Sequence, residues 1–197
     1  MRTLTYLIAS TIDGFIAGPD GSDPSAPGGF WPISPEYVAH LVEEYPETLP
    51  AMAHEALGIQ GPWRHFDTVL EGRGSYQVGL DAGVTNAYPH LRHVVFSTTL
   101  PRGDDPSVEI TADDPVEAVR RLKAEDGQGL WLVGGGRLAA ALVDEIDRLV
   151  VKVGPVTVGD GIPLLGRGAE FSPHAWRLTE HTAVGDTVIL TYERATA

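Results

Sequence analysis

The stretch GLWLVGGGRLAAALV, residues 129–143, constrains the fold more than any other. Its opening residues are a short apolar run without the alternation of a half-exposed strand, which predicts a strand buried on both faces. Three consecutive glycines, Gly134, Gly135 and Gly136, then lead straight into a helical pattern. A buried strand delivered into a helix is the repeating unit of a parallel α/β sheet. Each glycine gives up more backbone freedom on folding than any other residue. Three together mark a sharp bend or a place where something approaches the backbone closely. Either a tight strand-to-helix connection or an anion site meets that description. In the second case the free N–H groups and the positive dipole end of the helix receive a phosphate.

Strand and helix alternate along the rest of the chain. LTYLIAS (4–10), DTVLEG (67–72), HVVFS (93–97), SVEIT (107–111) and DRLVVKV (147–153) read as strands. GSYQVGL (74–80) reads as a short helix, and VEAVRRLKAE (116–125) as a longer one capped by Asp114 and opened by Pro115. AWRLTEHTA and DTVILTYER form a final pair of strands joined by a turn at Gly185. The prediction is an α/β fold in three layers: a mostly parallel central sheet, helices on both faces and an antiparallel C-terminal edge. AGPDGSDPSAPGG (17–29) is a loop. Ser34 and Pro35 then open a helix that Pro46 stops, and Thr48 starts a second one ended by Gly58. Residues 20–62 therefore read as a helical insertion or lid on a single domain spanning 1–197.

A chain of 197 residues with 43% hydrophobic content buries a full core. Asp and Glu outnumber Lys and Arg by 27 to 14, a net charge of −13 that repels nucleic acid and anionic membranes. An anionic ligand then needs a local site of backbone amides and one or two arginines. The absence of cysteine removes disulfides, thiolate metal sites and a cysteine nucleophile, and suits a reducing, cytoplasmic setting. The N-terminal apolar run is too short for a signal sequence or a membrane span. The seven histidines form no metal-binding spacing with nearby carboxylates, so no metal is expected.

Ligands in open α/β sheets sit at the carboxyl ends of the strands. In GRGSY, Gly72 lets the chain leave a strand, Arg73 offers a bidentate phosphate contact and Ser75 a first-turn hydroxyl. A surface arginine beside an ordinary helix start is the plainer reading. Ser97 and Thr98 of STTL are either turn residues or hydroxyl ligands. Asp13 in STIDGFIAG is either a plain Asp-Gly turn or a polar group beside a substrate. Trp31, Tyr76 and Phe15 are core aromatics or pocket-lining ones.

In order, TYLIAS with DGFIAG, DTVLEGRGSY, VVFSTT and WLVGGGRLAAAL resemble the dihydrofolate reductase-like family. The branch is that of the reductase domain, the C-terminal domain, of the bacterial riboflavin biosynthesis protein RibD, which carries a similar DG-x-IA segment. The resemblance implies an NADPH-dependent reductase of a small heterocycle, pteridine- or aminopyrimidine-like, and a homodimer. It places Val133 and the strand end against the nicotinamide, joins Gly134 to Gly135 by a cis peptide, and lays the pyrophosphate on Gly135, Gly136, Arg137 and Leu138. Gly72, Arg73 and Ser75 match a second phosphate-binding helix start, and Ser97 and Thr98 the residues that hold the 2′-phosphate. Ala9 and Ile16 border the nicotinamide, with Asp13 beside the substrate as the catalytic candidate. A catalytically weak NADP(H)-binding protein or sensor is the alternative on the same fold.

The match is poorer on the substrate side. The position of the family's folate-gripping arginine holds Leu91, with Arg92 one residue late, and a one-residue shift in an extended segment turns a side chain to the other face. Glu36, Glu43 and Glu44 read as solvated helix charges, which leaves folate without its usual contacts.

Overall fold

The computed structural model describes residues 1–26, 28–101, 103, 105–166 and 171–195; Pro27, inside the expected 17–29 loop, lies outside them. Along the described chain run β1 (Leu4–Ser10), β2 (Phe15–Ala17), α1 (Pro35–Glu44), α2 (Ala51–Leu57), β3 (Phe66–Gly72), α3 (Arg73–Asp81), β4 (Arg92–Phe96) and β5 (Val108–Thr111). There follow α4 (Pro115–Ala124), β6 (Gly129–Gly134), α5 (Gly136–Ala141), β7 (Arg148–Val153), β8 (Ile162–Pro163), β9 (Trp176–Val184) and β10 (Thr187–Arg194). Eight strands form one sheet in the order β5-β4-β3-β6-β1-β7-β10-β9. The first six are mutually parallel, and β10 and β9 add the antiparallel edge.

Both faces of the sheet are covered, which is why the central strands are apolar without alternation. On one face Tyr6, Leu70, Val94 and Leu132 meet Val119 and Leu122 of α4 and Ala139 of α5. On the other, Leu7, Val69, Trp131 and Val150 meet Tyr45, Trp63 and Tyr88. Tyr76 of α3 packs on that second face against Val95 and Val108, and its hydroxyl donates to the Thr85 carbonyl at 2.8 Å. Tyr76 is thus a core aromatic. Each fully buried Leu or Val in these layers contributes about 1.5–3 kcal/mol.

The caps of α1 and α4 follow the sequence. Ser34 accepts the Tyr37 N–H at 3.1 Å, and Asp114 accepts those of Val116 and Glu117 at 2.9 and 3.0 Å. The expected start at Thr48 does not occur. Pro46–Thr48 forms a 3-10 turn, the Thr48 hydroxyl donates back to the Tyr45 carbonyl at 2.8 Å, and the helix begins at Ala51. Gly58 ends that helix at φ 65°. The segment 20–62 is fastened to the sheet by Glu47, whose side chain is fully buried and accepts the N–H groups of His65 at 2.6 Å and Phe66 at 3.1 Å.

At the opposite end of the sheet from the strand carboxyl ends, Asp147 collects both ends of the chain's ladder. Its carboxylate accepts the Leu4 N–H at 2.8 Å, and its carbonyl accepts the Arg194 N–H at 3.0 Å.

Candidate functional site

The parallel strands β4, β3, β6 and β1 lie side by side, so Phe96, Gly72, Gly134 and Ser10 end along one edge. At the usual spacing of neighbouring strands that edge is about 14 Å long. All four sequence motifs open onto it.

The two glycine-bearing helix starts touch there. A Cβ on Gly72 would stand 3.6 Å from the Gly134 carbonyl and from the Gly135 nitrogen, and one on Gly134 would stand 3.5 Å from the Ser75 hydroxyl. Leu70 pairs with Leu132 but Glu71 with Gly134, so Val133 is the extra residue of a bulge that bends the end of β6. The Gly134–Gly135 peptide is cis. Neither Gly72 nor Gly135, the caps of α3 and α5, supplies a side chain to the exposed N–H groups behind it.

The glycines stand here for different reasons. Gly134 has φ 149°, where a Cβ is disfavoured. Gly136 makes room for a loop, because its Cβ would lie 2.4 Å from the Pro163 carbonyl, and the Gly166 N–H donates to the Gly136 carbonyl at 2.8 Å. Gly135 answers to neither need. Its φ of −89° suits any residue, and a Cβ there meets nothing within 4 Å. A Cβ on Gly74, in the first turn of α3, also meets nothing. Open space in front of two adjoining, uncapped helix starts fits a phosphate chain lying on bare backbone.

Charge is arranged to match. Among the described lysines and arginines, only Arg64, Arg73, Arg137 and Lys152 have neither a hydrogen bond nor a carboxylate within 4.0 Å. Arg73 and Arg137 are the first or second residues of α3 and α5, and both are exposed. Leu138, by contrast, is buried in the core against Gly72, so only its backbone reaches the edge. The Ser97 hydroxyl accepts from the N–H groups of Thr99 at 3.2 Å and Leu100 at 2.9 Å, which holds the turn and leaves its own O–H to donate. Thr98 beside it is exposed.

Ala9 and Ile16 are half-buried at the β1 side of the edge. Ile16 lies in β2, which pairs with β8, a two-stranded sheet whose strands are too short to leave a sequence signal. Asp13 is exposed, yet its carboxylate is occupied. It accepts from the Thr11 hydroxyl at 2.5 Å, from the Val158 N–H at 3.0 Å and from the Gly159 N–H at 2.7 Å. The Thr11 hydroxyl, followed by the Gly159 N–H, holds its pKa below the usual aspartate value. Asp13 in this arrangement is an ionised tether between the end of β1 and the loop after β7. Trp31, from the segment before α1, is buried over the end of β7, where a Cβ on Gly154 would stand 2.7 Å from its ring.

Surface hollows of about 350 and 310 Å³ lie away from this edge, one by Val42, Leu57 and Ile59 and the other by Thr3, Phe66 and Gly129. Among the described residues no group of three or more His, Asp or Glu side chains could hold a metal, and no helix is long and apolar enough to cross a membrane.

Residues 2–190 match the model of the RibD C-terminal domain. Two Bacillus subtilis proteins of uncharacterised function are similar: YwjB is 31% identical over 168 residues, 83% of this chain and 82% of that protein, and YyaP is 26% identical over 176 residues, 83% and 80%. A putative riboflavin biosynthesis protein from Shewanella sp. PV-4 superposes with a TM-score of 0.69 at 21% identity, covering all of both chains. The diaminohydroxyphosphoribosylaminopyrimidine deaminase/5-amino-6-(5-phosphoribosylamino)uracil reductase of Thermotoga maritima gives 0.62 at 17% identity, over 98% of this chain and 57% of that one. A pyrimidine reductase-like protein from Corynebacterium diphtheriae gives 0.63 at 13% identity, over 100% and 93%.

Proposed function

The chain belongs to the RibD C-terminal domain family, with its dihydrofolate reductase-like fold, and we propose that it is an NADPH-dependent reductase of a small pteridine- or aminopyrimidine-like heterocycle. The observation that carries this reading is the open space over Gly135 and Gly74, where an added Cβ would meet no atom within 4 Å beyond its local backbone. When bound, NADPH supplies the hydride, and the protein supplies position and polarity.

In this reading the N–H groups of Gly135, Gly136, Arg137 and Leu138 bind the pyrophosphate, aided by the Arg137 guanidinium. Gly72 and Ser75 hold phosphate from the adjoining helix start, where the Arg73 guanidinium binds the 2′-phosphate together with the Ser97 and Thr98 hydroxyls. Ala9, Ile16 and Val133 border the nicotinamide. Asp13 acts as a positioning residue that holds the 154–161 loop against the end of β1, since an ionised carboxylate already filled by three donors is a poor proton source. A cytoplasmic homodimer belongs to the same reading.

The test is a calorimetric titration with NADPH and NADH, followed by a screen of pteridines, aminopyrimidine ribosides and quinones for loss of reduced-nicotinamide absorbance. NADPH should bind about 10-fold or more tightly, as charge-assisted contacts to one added phosphate require. Equal affinities remove the 2′-phosphate assignment. Tight NADPH binding with no turnover across the screen supports the non-catalytic alternative.

A further inference from the structure

We infer that Lys152 is the cation that anchors the substrate, gripping a carbonyl or anionic oxygen of the heterocycle. The inference rests on the reading that the Ala9 end of β1 is the reacting end of the site.

Lys152 sits inside the apolar strand RLVVKV and is only 9% exposed. Its cross-strand neighbours are Ala9 on β1 and Ile189 on β10, neither of them able to accept a hydrogen bond through its side chain. Among the described residues no carboxylate lies within 4.0 Å of its ammonium and no acceptor bonds to it. Its recorded partner is the ring of Tyr37 on α1, with Nζ 5.8 Å from the centroid. Burying an ammonium without an anion or a set of acceptors is costly.

The fold shows how it treats a buried lysine that has only structure to serve. Lys123 is 4% exposed, and its ammonium lies 2.7 Å from the Asp147 carboxylate and donates to the Glu145 carbonyl at 2.8 Å. Lys152 receives no such compensation. Its Nζ is also not among the fully sealed polar atoms that lack partners, so the ammonium retains a route outward.

Position indicates what should fill that route. On the side toward the glycine edge the cross-strand neighbour is Ala9, whose side chain is a single methyl. Trp31 over Gly154 and Tyr37 on α1 bound the same corner with aromatic surface. The edge's own carboxylate, Asp13, is turned to Thr11 and the 158–159 backbone and does not neutralise the lysine. Aromatic walls with one uncompensated ammonium suit a flat ring carrying an oxygen acceptor. An oxygen that gains negative charge during reduction is held more tightly than a neutral one.

The experiment uses barbiturate, an anionic pyrimidine trione, as the probe, titrated into the full chain by calorimetry with and without saturating NADP⁺. Wild type should bind it, and Lys152→Met should weaken binding by about 10- to 100-fold, the loss of one charge-assisted contact. Lys152→Arg, which keeps the charge, should stay within about 5-fold of wild type on the same scale. Melting of Lys152→Met should be unchanged or raised, whereas a structural lysine would lower it. Lys152→Gln serves equally where the methionine variant does not fold. No binding by wild type, or equal binding by the charge-free variants, overturns the inference. Failure of wild type to bind NADP⁺ would overturn the cofactor reading alone, because the titration without NADP⁺ still decides the role of Lys152.

Discussion

The Asp13 carboxylate accepts the backbone N–H of Gly159 at 2.7 Å, joining two positions 146 residues apart in sequence. Its pKa is lowered below the ordinary 3.8, first by the Thr11 hydroxyl and then by that N–H. A depressed folded-state value means that the tether's contribution is complete above pH 3.8 and is lost as pH falls through the lower folded value. The amide proton shifts of Val158 and Gly159 should therefore titrate together in that acid range. In Asp13→Asn the titration should vanish while NADPH affinity stays within about 2-fold. A Gly159 amide that titrates identically in the variant would show that the tether is not formed in solution.

Gly135 and Gly136 are neighbours with opposite expected responses to alanine. At Gly135 the added methyl meets no protein atom, so Gly135→Ala should melt near wild type and lose NADPH affinity by about 10-fold or more. At Gly136 it meets the Pro163 carbonyl at 2.4 Å, so Gly136→Ala should cost about 1–3 kcal/mol of stability by overpacking. Thermal melts and cofactor titrations on the two proteins check both statements.

Arg73 has no anion of its own among the described residues. Arg73→Met should leave the melting temperature within about 2 °C, as expected of an exposed side chain. The same change should reduce the preference for NADPH over NADH by about 10-fold, measured as the ratio of their dissociation constants. An unaltered ratio would return Arg73 to the role of an ordinary surface charge.

Glu47 makes a prediction about the helical segment 20–62. Replacing it by alanine strands the N–H groups of His65 and Phe66 and should cost about 2–4 kcal/mol, lowering the melting temperature by about 5–15 °C. Glu47→Gln retains a carbonyl acceptor and should lose less than half as much. Equal losses in the two variants would mean that hydrogen bonding to β3 is not what holds the 20–62 segment.

The sequence made the layers legible because buried parallel strands read as continuous apolar runs, and it made the candidate edge legible because unusual residues recur where those runs stop. Short elements were less visible. β2 and β8 span three and two residues, below the length at which periodicity exists. The start of α2 was misplaced because Thr48, a residue suited to capping, turns its hydroxyl back to Tyr45. Asp13 was visible as a residue type, but its bond to Gly159 is a product of topology. Tyr76 reads the same in sequence whether it packs on Val95 or lines a pocket. Lys152 did leave a mark, a lone charge among valines in LVVKV, but only the missing counter-ion gives that mark a meaning.

The convergence of the start of β1 and the end of β10 on Asp147 bears on how this molecule can be re-engineered. Leu4 and Arg194 are both anchored to one residue, at the end of the sheet remote from the glycine starts. A short linker between them would close the backbone into a ring without crossing the glycine edge. New termini could then be opened in the exposed Asp20–Ser25 turns, where side chains bond only to near neighbours. A circular permutant cut there would keep every strand pairing while placing the new ends in the segment that precedes α1.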